Sequence, residues 1–326
     1  MEERAILEPV TVLVATFNSA RFVEETLESI YLQTYPSLEL IIADDGSEDS
    51  TVRIVSEWMV KRGSRFNRVK LLPSEKNTGV SANCNRGIRE ATSLWIKMIA
   101  GDDILLSNCI TDNMRFVKSK KDIYVLFSFV RLYRNDFSSG SYVETIPKEV
   151  PSHFMGEEIT AEEQYRMLLI SDRIPFTPSY FFHAQAVASV GYYDERNIYV
   201  EDYPMWIKLT KAGYKLHFMS FETVGYRQHA LATNNNAEAT IFPRSQLKLW
   251  VFRRDEVLPL LPWELAGEER WVSGVRRFYE WTGLNSRGRF NLFFYRVATV
   301  WVNPFKYLSF FMRKVGIHGG RRGYVL

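Results

Sequence analysis

The sequence predicts an α/β fold: a mostly parallel central sheet flanked by helices, followed by a helical C-terminal extension. Two observations carry this reading. Strand-like and helix-like runs alternate through the first hundred residues, and after Thr240 the strand signal disappears. Val10 to Ala15 ("VTVLVA") is a β-branched run, Ser19 to Gln33 has apolar residues at helical spacing behind a Ser cap, and Ser37 to Asp44 ("SLELIIAD") is again strand-like. The unit then repeats: a helix in "SEDSTVRIVSEWMVKRG" leads to a strand at Val69 to Pro73, and a helix in "GVSANCNRGIREAT" leads to a strand at Leu94 to Ala100. Such alternation favours parallel strands joined by helical crossovers. Beyond Ser107 the reading continues with an amphipathic helix, a strand at Ile123 to Tyr133 and a polar hairpin around "RNDFSSGS".

Bulk properties exclude several classes. The 326 residues are 46% hydrophobic and 24% charged, the balance of a folded globular protein. Two cysteines, Cys84 and Cys109, are too few for a disulfide framework and point to a reducing, cytoplasmic setting. The charged N-terminal "MEERAILEPV" is unlike a signal peptide, and no uncharged apolar run of about 18 residues is present, so neither export nor a spanning helix is expected. The net charge of +3 conceals an asymmetry, because residues 240 to 326 hold 15 Lys+Arg against 6 Asp+Glu.

The four strand-to-loop junctions are "TFNS", "DDGSEDS", "SEKNTG" and "GDD". Open α/β sheets bind ligands beyond the carboxyl ends of their strands, so these junctions define a candidate site: Thr16, Asn18, Asp44, Asp45, Asn77, Gly79, Asp102 and Asp103. Asp, Asn, Gly and Ser also make ordinary loops, which explains any one junction taken alone. Adjacent carboxylates repel, and at a partly buried strand end they call for a cation or hydrogen-bond donors. All-oxygen ligands favour Mg²⁺ or Mn²⁺, which usually completes its shell with water and substrate phosphates. A nucleoside diphosphate is therefore the expected ligand type.

The series "VLVATFNSARFVEETLESIYLQTYPSLELIIADDGSEDST", "NTGVSANCNRGIREA", "AGDDIL" and "VEDYPMWIKLTKAGYK" resembles family 2 glycosyltransferases of the GT-A fold over about residues 8 to 232. The resemblance implies an inverting enzyme that uses a nucleotide sugar, UDP-sugar foremost, with Mn²⁺ or Mg²⁺. It further implies a glycan or lipid-linked sugar acceptor in bacterial surface polysaccharide synthesis. By position it makes Thr16 and Asp45 contacts to base and ribose, Asp102 the metal-binding member of the DxD motif, and Asp202 the general base with Glu201 beside it. His229, in "GYRQHALATNN", falls where a histidine approaches the metal or diphosphate. "GYYDE" (Gly191 to Glu195) and "FTPSYFF" (Phe176 to Phe182) resemble segments lining the acceptor side, although aromatic core packing is the default for such residues. The sequence departs from the pattern at Ala100, where the first DxD carboxylate is common, and at Cys84, where an Arg is frequent. Ala100 motivates a competing reading, a catalytically silent nucleotide-sugar-binding protein; a nucleotidyltransferase shares the alternating fold and metal need.

The expected organisation is a catalytic domain over 1–239, with a donor half to about 106 and an acceptor half from about 107, followed by a basic, aromatic-rich helical region over 240–326. No acidic residue follows Glu280. The run Arg289 to Lys314 mixes aromatic and basic residues interrupted by Pro304, which suits either a peripheral membrane interface on the cytoplasmic face or a helical cap packed on the protein. No nucleic-acid-binding module is recognisable.

Overall fold

The β-branched and aliphatic runs of the N-terminal half form β1 (Val10–Thr16), β2 (Leu38–Asp44), β3 (Arg68–Pro73) and β4 (Trp95–Ala100). In the computed structural model, which describes residues 7–196, 201–229, 240–242 and 245–314, every residue of β2 and all but Ala15 of β1 are buried. A strand buried on both faces needs cover on both, and α1 (Val23–Tyr31), α2 (Thr51–Arg62) and α3 (Val80–Glu90) fill the crossovers between these strands. α3 lies close enough to the sheet that a Cβ on Gly87 would sit 2.2 Å from Leu13 Cδ1.

The registers fix where the strands end. Thr16 pairs with Asp44, Asp44 with Pro73, and Ala15 with Ala100, so the carboxyl ends of all four strands share one edge of the sheet. The chain then continues through β5 (Ile104–Leu105), α4 (Cys109–Ser119), β6 (Val125–Arg134), β7 (Tyr142–Ile146), α5 (Ser152–Met155), α6 (Ala161–Ile170), β8 (Phe181–His183), α7 (Ala184–Ser189), α8 (Asp202–Lys211) and β9 (Leu216–Gln228). The sheet order is β3-β2-β1-β4-β8-β6-β9-β5, with β7 paired to β6 as the polar hairpin predicts.

The parallel expectation holds for β1 to β4 and for β6 with β9, whereas β4 with β8, β6 with β8, β6 with β7, and β5 with β9 are antiparallel. The sheet is therefore mixed beyond β4. β5 and β8 have two and three residues, too short to register as a hydrophobic period. The Ser19 cap also differs: α1 begins at Val23 with no side-chain cap, because the Ser19 hydroxyl turns to Phe17 O and the Ser19 carbonyl opens the first turn by accepting the N–H groups of Phe22 and Val23.

Contacts divide the chain into two units, Met1–Gln164 with Arg173–Gln228, and Tyr165–Asp172 with His229–Leu326. The first unit ends at Gln228, and Tyr165–Asp172 groups with the second. That unit contains α9 (Ser245–Phe252), α10 (Trp263–Trp281), α11 (Arg289–Arg296), a π turn at Val297–Trp301 and α12 (Pro304–Lys314). α12 packs on α10 with Phe305 in the notch left by Gly267, where a Cβ would meet the Phe305 ring at 2.4 Å. Arg253 braces the unit by bonding Glu269 and the Leu169 carbonyl. No helix among the described residues is long and apolar enough to cross a membrane.

Gly46 and Gly213 offer a test of loop geometry. Both have positive φ, +75° and +92°, but a Cβ on Gly46 would lie 2.6 Å from the Lys76 carbonyl carbon, while Gly213 faces open space. Left-handed backbone alone costs a non-glycine residue about 1–2 kcal/mol. Gly213→Ala should lose about that amount in denaturant unfolding, and Gly46→Ala measurably more, because a backbone clash is added to the strain.

Candidate active site

The first two strand ends are tied by carboxylates. Asp44 accepts the Thr16 hydroxyl at 2.8 Å, the Ser47 N–H at 2.9 Å and the Ser47 hydroxyl at 2.6 Å. Asp45 accepts the Thr78 N–H at 3.0 Å, its hydroxyl at 2.6 Å and the Gly79 N–H at 2.8 Å, with the Arg86 guanidinium 3.7 Å away. Asn18, in left-handed backbone at φ 49°, donates its N–H to the Ser47 hydroxyl and accepts the Glu48 N–H. Asn77 accepts the Gly79 N–H. The junctions after β1, β2 and β3 therefore form one hydrogen-bonded rim. Both aspartates are buried, and they build the rim from within. The resemblance assigned Thr16 and Asp45 to a base and ribose; here the Thr16 hydroxyl and the Asp45 oxygens are already engaged by protein groups.

The fourth junction separates its two carboxylates. Asp103 is 2% exposed and accepts the Arg227 N–H at 2.9 Å, while its own carbonyl accepts the Thr26 hydroxyl. Burial, with the adjacent Asp102 charge, pushes the Asp103 carboxyl well above the usual range, against the opposing pull of Arg227. Buried and bonded to the Arg227 N–H, Asp103 anchors the loop, while Asp102 is half-buried. Arg227 clamps this turn: Nε donates to Asp102 O at 2.7 Å, Nη1 to Asn135 O at 2.9 Å, and Nη2 to Glu25, while the guanidinium lies over Phe22 and Phe137 at 4.5 and 4.2 Å from the ring centres.

Among the described residues no three His, Cys, Asp or Glu side chains are placed to hold a metal. His229 is buried directly after β9 and belongs to the second unit.

Glu201 and Asp202 open α8. Burial raises the Asp202 carboxyl, against hydrogen bonds from the Tyr203 N–H at 2.7 Å and the Thr177 hydroxyl at 2.9 Å. The same Thr177 hydroxyl is 3.0 Å from Ile174 O. Burial and the Asp202 charge push Glu201 up to about 7. The pair adjoins the donor edge through Tyr193 and α3: Asn85 bonds both the N–H and the carbonyl of Tyr193, and the Tyr193 hydroxyl, raised mainly by burial, also feels Cys84, Glu201 and Asp202. The Cys84 thiol, raised by burial, lies in the fields of Glu201, Asp45 and Arg86. Carboxylates from residues 45 and 201 thus act on one side chain.

Several contributors were not legible in the sequence. Lys97, fully buried on β4, donates to the Pro178 and Tyr180 carbonyls at 2.6 and 3.2 Å and so fixes the turn that brings Thr177 to Asp202. Its burial lowers its pKa to about 8. Cys84 stands where an Arg is frequent, but Arg86, two residues on, reaches Asp44 O at 2.9 Å and Asn83. Only the bare presence of basic residues within an apolar strand and a helix signalled them. The aromatic residues of "FTPSYFF" and Tyr193 are core: Tyr180 stacks on Phe182 at 4.4 Å and meets Trp206 at 4.6 Å, and none is available to a sugar ring.

Arg227→Ala should lower unfolding stability by more than about 2 kcal/mol, since it orphans several buried acceptors at once. Arg227→Lys should recover only part of that loss, because an ammonium does not reproduce the fork of donors.

Comparisons with known proteins show the family and the fold. Residues 11–177, half of the chain, match the family model described as glycosyl transferase family 2, and residues 95–318 match glycosyl transferase family group 2. An uncharacterized glycosyltransferase of Methanocaldococcus jannaschii is 26% identical over 225 residues, 67% of this chain and 70% of that protein. The glycosyltransferase GlyG of Streptococcus pneumoniae is 30% identical over 48% of each chain, so the match spans about half of that relative. The UDP-Gal:alpha-D-GlcNAc-diphosphoundecaprenol beta-1,3-galactosyltransferase of Escherichia coli is 29% identical over 61% of this chain and 66% of its own length. Among solved structures, S. aureus TarS 1-349 in complex with UDP-GlcNAc superposes with a TM-score of 0.56 at 15% identity, over 95% of this chain and 92% of that one. The mannosyltransferase PcManGT of Pyrobaculum calidifontis, in complex with GDP-Man and Mn2+, gives 0.51 at 15% identity over 95% and 75%. At such identities the likeness shows the fold, that of the GT-A glycosyltransferases. The family model takes in all four strand-end loops of the rim as well as Thr177, and on that match the chain belongs to glycosyl transferase family 2.

Proposed function

We propose that the protein is an inverting glycosyltransferase that moves a sugar from a nucleoside-diphosphate donor, a UDP-sugar first, to a hydroxyl of a glycan or lipid-linked acceptor. The observation that carries the reading is the Glu201–Asp202 pair: two carboxyls with raised pKa, adjoining through Tyr193 and α3 the rim built on the strand ends. Structural ion pairs have no need of two adjacent like charges, whereas a general base needs a carboxyl poised near the working pH.

In this reading Asp202 takes the proton from the acceptor hydroxyl as its oxygen attacks the anomeric carbon from the side opposite the diphosphate, so the configuration inverts. The Thr177 hydroxyl and the Tyr203 N–H aim the carboxyl, and Lys97 holds the turn that presents Thr177. Glu201 sets the titration of the pair. A divalent ion held by Asp102 and the donor phosphates would neutralise charge on the departing diphosphate. The rim of Asp44, Asp45, Thr78 and Gly79 shapes the donor cleft. The galactosyltransferase relative supports a lipid-linked acceptor, and the nucleotide complexes of the structural neighbours support a nucleotide sugar.

Asp202→Asn should reduce turnover by about 10²–10⁴-fold while UDP binding by calorimetry is retained. Full activity in that variant overturns the assignment of the base. The wild-type rate should rise with pH as the pair ionises, toward a plateau above about 7, where Glu201 titrates. Glu201→Gln removes a like charge, which favours the ionised form of Asp202, so the acid limb of the kcat/KM profile should move to lower pH.

A further inference from the structure

In the second unit the segment from the π turn through α12 packs with polar residues inward. Asn303 and Ser309 are 0% and 1% exposed and Thr299 is buried, while Phe290, Trp301 and Phe311 are 80%, 70% and 59% exposed. This is not a failure of packing. α12 is seated on α10 through Phe305 in the Gly267 notch and through Ser309, which bonds Glu268, so its opposite face is turned outward. On that face Tyr307, Phe310, Phe311 and Lys314 follow one another at i, i+3, i+4 and i+7, and on α11 Phe290, Phe293 and Phe294 repeat the same spacing. Exposed apolar surface on this scale marks an interaction site.

The charges on the face identify its partner. Arg289, Arg296 and Lys314 are exposed among the aromatic side chains, and the sequence contains no acidic residue after Glu280. A second copy would bring this face against itself in a two-fold contact, setting uncompensated cations against cations. Cores of protein interfaces are depleted in charge, whereas aromatic rings mixed with Lys and Arg suit the headgroup region of an anionic bilayer. Between α10 and α11 runs a groove of about 460 Å³, lined by Val275, Phe278, Phe294, Val297 and Ala298, which offers a lipid chain a hydrocarbon wall. We propose that the outward face of α11 and α12 lies in the interface of an anionic membrane, with the aromatic side chains at headgroup depth and the basic residues on lipid phosphates. The proposal does not depend on the reaction assigned above.

Flotation of the full chain with phosphatidylglycerol-containing and pure phosphatidylcholine vesicles tests it. Binding should be at least tenfold stronger to the anionic vesicles and should weaken as salt is raised. Phe310→Ser with Phe311→Ser should weaken it at least tenfold, with an unchanged melting temperature showing that the exposed positions are tolerated. Arg289→Gln with Arg296→Gln should reduce the salt-sensitive part and leave the fold intact by the same measure. Quenching of tryptophan fluorescence by brominated lipids should fall in Trp301→Phe. No binding to either vesicle, equal binding to both, binding indifferent to the aromatic pair, or a dimer in sedimentation that the same pair dissociates would each overturn the proposal.

Discussion

Arg227 is the residue on which the catalytic unit is organised. Its backbone N–H holds Asp103 and its side chain holds the Asp102 carbonyl, so the turn after β4 is fixed to the end of β9, more than a hundred residues away in sequence. The two-residue β5 alone, paired with β9 at Ile104 and Leu105, is too short to give that rigidity. Placing a guanidinium at 3% exposure is costly unless its donors are matched, and here they meet two carbonyls, a carboxylate and two aromatic faces. The same clamp decides the roles of the adjacent aspartates. With Asp103 drawn inward, Asp102 is left half-buried beside it.

The legible part of the fold was the part made of local pattern. β-branched runs and helical spacing located β1 to β4 and the helices between them, because β1 and β2 are buried almost throughout and β4 mostly so, which calls for largely apolar runs. β5 and β8 escaped, being stretches whose strand identity comes from partners supplied elsewhere in the chain. The site followed the same division. Its polar strand ends could be picked out as Asp, Asn, Gly and Thr at four junctions, and their convergence is a consequence of parallel registers. Which oxygen faces inward was not legible, since Asp45 and Asp103 are engaged by residues far along the chain and Asp44 by Thr16 as well as its neighbour Ser47. Lys97 and Arg227 were unreadable for the opposite reason: a single basic residue in an apolar strand looks like any surface cation until its carbonyl partners are known.

Aromatic residues divide along the same line. In the first unit Phe127, Phe176, Tyr180 and Trp206 interlock, so α8 with Asp202 at its start rests on a packed aromatic floor. In the second unit Phe242, Trp250 and Tyr279 are buried, whereas Phe290, Phe293, Trp301, Phe310 and Phe311 are exposed. One composition, rich in Phe, Tyr and Trp, is therefore used for cohesion in one unit and for contact in the other, and bulk hydrophobicity alone does not distinguish the two.

Thr177 has one hydroxyl proton and two oxygens waiting for it, Ile174 O and the Asp202 carboxylate. While Asp202 is ionised, the proton points at the carboxylate. Once Asp202 has taken a proton of its own, it can donate to the Thr177 oxygen, and the hydroxyl is released to swing toward the Ile174 carbonyl. Protonation of Asp202 is thus accompanied by a small rotation that leaves every oxygen satisfied. Loss of that proton to solvent reverses the rotation, so the charge of the Asp202 carboxyl and the direction of the Thr177 hydroxyl change together.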